Sequence, residues 1–369
     1  MAKSNSSRRL DLHEALSKRS FQNAVICSFT FDPLFFENYC LEKFATLSSN
    51  NNISVITDQL TYLKIASAAE TECPKQLNLR YLLHPVTVEG RFHPKLFMLT
   101  NGTAGRLIVG SANFTRAGLT TNAEVADVFE FDEDDSHEFL PLFKDALQFV
   151  AQLARQWPSE SLASNLDELQ RTTPWLTHET DQAGGHMRLI HNLDHSLWSQ
   201  LPSFQVGPVE NIHVVSRFYD GGPDLIDRVM SDWNPKKLFL YTQNGITTMT
   251  PEWLTHPCVR SGRAEILLCT YEDKGYMQPL HAKAIVFESA SGSTLTYGSA
   301  NFTSPALLGS KGKGNVETMM VVPSLRQSDL NPRSFCDPSG SALRLTSQDQ
   351  LRFTIPERRE CGEPRLIDL

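Results

Sequence analysis

The sequence predicts an α/β protein made of two copies of one α-β-α sandwich, each built on a mixed sheet and paired as a pseudo-dimer. The first observation is a repeat at constant offset, which has to be sought before any other pattern. His93-Pro94-Lys95-Leu96-Phe97 returns as His281-Ala282-Lys283-Ala284-Ile285, a displacement of 281 − 93 = 188 residues. Gly110-Ser111-Ala112-Asn113-Phe114-Thr115 returns as Gly298-Ser299-Ala300-Asn301-Phe302-Thr303 at the same displacement, and residues 25–32 align with 213–220. The second observation is that short apolar, β-branched runs alternate with helical stretches inside each copy, the pattern of layered α/β domains.

The elements follow in order. Each copy opens on an apolar strand (24–31; 212–219) and continues into a helical stretch (34–47; 224–233). Two further strand-like runs come next (53–57 and 79–83; 238–242 and 265–269). A strand then starts at each His-x-Lys, another ends at the glycine of each Gly-Ser-Ala-Asn, and a last one follows (125–131; 319–322). Residues 134–156 carry Phe139, Leu140, Leu142, Phe143, Leu147, Val150 and Leu153 at amphipathic spacing and predict a helix closing the first copy. The predicted division is a first domain at 1–160, a linker at 161–186, a second domain at 187–325, and a tail at 326–369. The tail is richer in proline and arginine, with a strand-like run at 350–355, and reads as the start of a further module of a longer chain.

Composition narrows the function classes. The chain has 369 residues, 40% of them hydrophobic and 21% charged, as in ordinary globular proteins. No apolar run of membrane-spanning length and no secretory leader are seen, which predicts no membrane association. The 7 cysteines are scattered without a paired spacing, so neither a disulfide framework nor a cysteine-built metal site is predicted, and a reducing, cytoplasmic compartment is. A net charge of −8 counts against broad coating of nucleic acid yet leaves a small phosphate site open, where a few local cations decide the field.

The candidate chemistry lies in the repeated motif. Alternate side chains leave a strand on one face, so His93 and Lys95 project together, as do His281 and Lys283. An imidazole beside an ammonium suits phosphoryl transfer: the lysine neutralises an oxygen while the histidine attacks or donates a proton. Asn113 and Asn301 follow their histidines by twenty residues and offer neutral amide contacts to phosphate; Ser111 and Ser299 offer hydroxyl donors beside them. Glu124 and Glu317, each preceded by an asparagine two residues earlier (Asn122, Asn315), are placed to accept a hydrogen bond from an imidazole and fix its tautomer. The asparagines themselves read as turn residues. Lys311 and Lys313 form a glycine-rich basic loop, read equally well as a solvated loop or as a phosphate contact. Arg91, Arg106 and Arg116 read as surface charges, Asp132 to Asp135 as the acidic start of a helix, and Phe29, Phe31, Phe35 and Phe36 as core.

This combination resembles the phospholipase D superfamily, whose signature joins H-x-K to G-S-x-N through a conserved aspartate. The resemblance covers about residues 10–325. It implies one active site shared by both motifs in a single chain, without a metal, cofactor or homodimer. One histidine would form a phosphohistidine and the other would protonate the leaving oxygen, with His93 the nucleophile and His281 the general acid. The family aspartate falls at Thr100 in one copy and Glu288 in the other, and the spacer to G-S-x-N is longer. Within the superfamily the repeated Gly-Ser-Ala-Asn-Phe-Thr is similar to the nuclease branch, which implies DNA or RNA as substrate. That branch includes nuclease domains of restriction and phage-defence proteins, whose complexes would supply protein partners. A lipid-directed phospholipase or phosphatidyltransferase, and a nucleic-acid-binding subunit active only within a complex, stand as the alternatives.

Overall fold

The structure is a computed structural model that describes residues 21–44, 52–69, 72–135, 137–179, 187–273 and 275–354. The first half carries β1 (Asn23–Ser28), β2 (Asn52–Asp58), β3 (Leu82–Val86), β4 (Lys95–Thr100), β5 (Ala104–Gly110) and β6 (Ala126–Asp132). They form one sheet in the order β3-β2-β1-β4-β5-β6. The β1–β2 and β2–β3 pairs are parallel, and the β1–β4, β4–β5 and β5–β6 pairs are antiparallel. Strands β1, β4 and β5 are buried along their whole length, which explains why they read as continuous apolar runs rather than alternating ones.

The second half contains β7 (Arg188–His191), β8 (Val209–Val215), β9 (Lys237–Thr242), β10 (Ala264–Leu268), the short ribbon β11 (Glu272–Asp273) and β12 (Tyr276–Met277), then β13 (Ala284–Ser289), β14 (Gly292–Gly298), β15 (Thr318–Leu325) and β16 (Leu343–Arg344). Its sheet runs β16-β10-β9-β8-β13-β14-β15-β7. The six central strands repeat the first sheet's order and directions; β16 and β7 are added at the two edges. The predicted α/β class with duplicated mixed sheets is therefore the observed one.

Helices α1 (Gln59–Ala66), α2 (Leu140–Gln156), α3 (Glu160–Thr172) and α4 (Asp224–Asp232) pack on these sheets. One hydrophobic cluster is shared by the halves: Val25, Leu96 and Leu107 of the first sheet meet Val286, Tyr297 and Met320 of the second, with the apolar face of α2 completing it. A bidentate pair, Arg188 Nε and Nη2 on the Asp145 carboxylate at 2.9 and 3.1 Å, ties α2 to edge strand β7.

Several boundaries differ from the sequence reading. The predicted linker is helical over 161–172, and its residues 180–186 lie outside the described residues: Ser159 caps α3 by accepting from Leu162 N, and Leu162, Leu166 and Leu169 are buried at i, i+4, i+7 spacing. Its polar composition reflects the solvent face. Helix α2 begins at Leu140, and Glu133 to Asp135 sit in a turn after β6 rather than at a helix start. The 34–47 stretch is helical through Phe44, with one π-turn at Phe36–Cys40; its last three residues lie outside the described residues. The strand-like run at 350–355 is reduced to a bridge between Phe353 and Thr247, and residue 355 lies outside the described residues. Arg106 is 2% exposed rather than on the surface, paired with Glu130 at 2.5 Å and lying over the Phe21 ring.

Candidate active site

Each sheet presents its motif from the same place, and the same buttress holds it. Ser28 at the end of β1 donates from Oγ to Thr30 O and accepts from Phe114 N; Ser216 after β8 does the same with Phe218 O and Phe302 N. The bridges Phe31–Phe114 and Tyr219–Phe302 repeat at the 188-residue offset. Gly110 and Gly298 lie against the neighbouring strand so closely that a Cβ would sit 2.3 Å from Val125 O or 2.4 Å from Thr318 O. Only glycine lets the Ser-Ala-Asn turn begin there.

The two halves are then cross-connected. Phe92 bridges Val316, with His93 N donating to Val316 O at 2.9 Å and Val316 N to Arg91 O at 2.8 Å. Ala123 bridges Leu280, and His281 N and Ala282 N both donate to Ala123 O. Each histidine-bearing segment thus pairs with the glutamate-bearing segment of the other half. Consequently His93 Nδ1 meets Glu317 Oε2 at 2.9 Å, and His281 Nδ1 meets Glu124 Oε1 at 2.7 Å. With a carboxylate as acceptor, each Nδ1 carries the hydrogen and leaves Nε2 as the free nitrogen.

The glutamates are themselves oriented. Ser111 Oγ donates to Glu124 Oε2 at 2.5 Å and Asn122 Nδ2 to Glu124 Oε1 at 3.1 Å. Ser299 Oγ donates to Glu317 Oε2, and Asn315 Nδ2 to Glu317 Oε1 at 2.9 Å. The serine hydroxyls expected to face phosphate are therefore engaged with the glutamates. Asn122 and Asn315, read as turn residues, position the same carboxylates. Asn113 Oδ1 and Asn301 Oδ1 are buried and lack a hydrogen-bond partner, so these side chains have polar capacity left for a ligand.

Both lysines are buried, at 1% and 0% exposure, and each donates to the carbonyl of its own histidine: Lys95 Nζ to His93 O at 2.8 Å, Lys283 Nζ to His281 O at 2.5 Å. Burial, and then the charge of Lys283, push the Lys95 ammonium well below the usual lysine range. Burial brings Lys283 down to about 8 against the opposing attraction of Glu124 and Glu317. Burial also lowers His93 to about 4, with Glu317 opposing, and His281 to about 4, where Lys283 adds to the effect and Glu124 opposes it. Burial alone would raise Glu317 and Glu124; the facing histidines and lysines outweigh it and hold both below the ordinary carboxylate value. Each histidine and each lysine feels charges from both halves, and each glutamate feels the histidine and lysine of the other half, which makes the set one electrostatic unit.

Other predicted residues divide clearly. Thr100 bonds Asn23 and Thr173, and Glu288 accepts from Asn211 at 2.8 Å, so both positions aligned with the family aspartate tie strands together. Lys311 and Lys313 are exposed on a loop whose Gly314 O accepts from Gly90 N. Phe31, Phe35 and Phe36 are core, whereas Phe29 is only half-buried and stands 5.2 Å from the His93 ring.

Sequence reasoning missed Asp58 and Gln243, whose side-chain oxygens accept from Phe92 N at 2.9 Å and Leu280 N at 2.6 Å, one residue before each histidine. It also missed Asn192, whose Oδ1 accepts from Glu317 N at 2.8 Å. The 188-residue offset matched Ser28 with Ser216 and would have flagged that pair; Asp58, Gln243 and Asn192 carry no local signal. Among the described residues no cluster of metal-ligating side chains is present, and no helix is long and apolar enough to cross a membrane.

No protein-family model matches the sequence, and no curated protein sequence matches it. Solved structures do match. Yeast tyrosyl-DNA phosphodiesterase superposes with a TM-score of 0.59 at 11% identity, covering 89% of this chain and 90% of that one. Polyphosphate kinase from Porphyromonas gingivalis gives 0.48 at 12% identity over 93% of this chain and 47% of that one. The phospholipase D family member Nuc from Salmonella typhimurium gives 0.31 at 14% identity, covering 44% of this chain and 98% of that one. The chain shares the fold of the yeast enzyme along most of its length.

Proposed function

We propose that the protein is a phosphodiesterase of the nuclease type, hydrolysing DNA or RNA through a phosphohistidine. The observation that carries the reading is the exchanged pairing of His93 with Glu317 and His281 with Glu124, which gives two oriented imidazoles in one electrostatic unit with two buried lysines. Buried lysines with lowered proton affinity, set beside two oriented imidazoles, mark a functional site rather than a packed core.

In the proposed reaction the diester anion binds between Lys95 and Lys283, with the Asn113 and Asn301 amides on its oxygens. The lone pair of His93 Nε2 attacks phosphorus and forms a P–N bond; the bond to the leaving oxygen breaks as His281 Nε2 gives that oxygen its proton. Neutral His281 then takes a proton from water, whose oxygen attacks phosphorus, and the P–N bond breaks to restore His93. The low value of His93 keeps it neutral and nucleophilic at neutral pH. For His281 the entering anion offsets the lysine field and favours the imidazolium the first step needs.

Nucleic acid is favoured as substrate by the fold likeness to a yeast enzyme named for its action on DNA. Purified protein incubated with labelled single- and double-stranded DNA, RNA and phosphatidylcholine in EDTA tests the reading. We expect cleavage of nucleic acid that falls by roughly 10²–10⁴-fold in His93→Ala and His281→Ala. Release of choline with intact nucleic acid would overturn it.

A further inference from the structure

The duplicated site is symmetric in its reacting groups and asymmetric in the residues around them. Phe29 follows β1 and reaches the His93 ring. The residue at the 188-residue offset is Arg217, which follows β8 beside the second motif, because β8 pairs with β13 in the register that sets Val215 against Ala284. The Arg217 guanidinium lies over the Phe218 ring, 4.9 Å from its centroid, and Nε donates to Ile246 O at 3.1 Å. No carboxylate pairs with it among the described residues. Its charge acts on Lys283, and burial lowers its own proton affinity. A half-buried guanidinium held by one carbonyl and one aromatic face has its two terminal amino groups left for an anion, the arrangement suited to bidentate phosphate binding.

We infer that Arg217 grips the phosphate adjacent to the scissile one, on one side only, while Phe29 occupies the corresponding place on the other side, so that the site reads the direction of a polyanionic chain. This rests on the proposed phosphodiesterase reading and adds substrate polarity to it. Two lysines already serve the scissile anion, and a third cation at hand in one half alone fits a second phosphate. The Phe29 ring, with no charge to offer, fits an uncharged or aromatic neighbour of the scissile group.

The test uses thymidine trinucleotides in which one linkage is a phosphodiester and the other an uncharged methylphosphonate, in both orders, alongside the trimer with two diesters. For each linkage, cleavage in the native trimer is compared with cleavage when its neighbour is neutral. In the wild-type protein, neutralising the neighbour should cost about tenfold in kcat/KM on one side and under about twofold on the other. In Arg217→Met the larger loss should vanish, because the contact is already gone, and Arg217→Lys should restore part of the side preference, which a purely structural arginine would not do. Equal losses on both sides, or a loss of the same size in wild type and Arg217→Met, would overturn the inference. Hydrolysis of bis(4-nitrophenyl) phosphate separates the two levels. A wild type that turns it over without side preference on the trimers sinks the role of Arg217 alone. A wild type that cleaves neither sinks the phosphodiesterase reading and this inference with it.

Discussion

The first and second halves agree where chemistry needs them to and differ elsewhere. Strand order, the serine buttress, the crowded glycine and the histidine–glutamate exchange are the same in both. Around that shared set, Phe29 stands where Arg217 does, Asp58 does the work of Gln243, and only the second half adds edge strands and the 309–314 loop. Because each glutamate serves the other half's histidine, neither half holds a complete acid–base pair by itself. What is shared joins the two copies into one electrostatic unit; what differs is what would give the proposed site a direction.

The sharpest way to break the apparent equivalence is to separate the two histidines kinetically. A 4-nitrophenolate leaving group needs no proton, so the first step can proceed without a general acid. His281→Ala mixed with bis(4-nitrophenyl) phosphate should release one nitrophenolate per protein molecule and then stall, because no base activates water. His93→Ala should give no burst, with turnover lowered by roughly 10³-fold or more. Stopped-flow absorbance decides between them. A burst from His93→Ala and none from His281→Ala would reverse the assigned roles.

The lysines differ next. Lys283 loses its proton at about 8, so the ammonium is present below that pH and lost above it. We expect kcat/KM for the wild type to fall tenfold per pH unit above about 8 and the fall to move well above pH 9 in Lys283→Arg, whose guanidinium stays charged. A wild-type profile flat to pH 9.5 would show that Lys283 does not carry the substrate anion. The same shift has a stability sign. Between about 8 and its ordinary value near 10.4 the unfolded chain holds a proton on this lysine that the folded chain has lost, so this group's contribution to stability rises with pH through that window. His84, His93, His213 and His281 are all lowered to about 4 by burial. They act together at the other end: from about 6.5 down to 4 the unfolded chain binds the extra protons, and stability falls.

How much of this was legible in the sequence follows from the range of each interaction. Strands β1, β4 and β5 are buried on both faces and announce themselves as apolar runs, and the constant offset made the duplication visible before any geometry. The identity of each carboxylate's partner was not visible, because His93 and Glu317 are separated by 224 residues and His281 and Glu124 by 157, with no local pattern linking them. Ser111 and Ser299, read as phosphate donors, donate to a glutamate just before the neighbouring strand, a tertiary neighbour that no local pattern announces. Helix α3 is legible in its Ser159 cap and leucine spacing, but the polar composition of its solvent face masks that period.

The smallest expected effect sharpens the comparison at the seam between the halves. Gly90 packs against the 309–314 loop so closely that a Cβ would lie 2.4 Å from Gly314 C and O and 2.7 Å from Asn315 Oδ1. The corresponding position in the second half is Gln278, where a side chain is accommodated and its N–H closes the ribbon by donating to Tyr271 O. Gly90→Ala should therefore push the loop away, loosen the Arg91 N to Asn315 contact at 3.1 Å, and through Asn315 release one oxygen of Glu317. Thermal unfolding should register about 1–3 kcal/mol of lost stability. Loss of the His93 orientation should lower kcat more than it raises KM, since the reacting geometry changes while Lys95 and Lys283 stay in place. Gln278→Ala should do neither. If both substitutions had equal effects, the close approach would be a passive contact, and the second half's loop would have no part in aligning the first half's histidine.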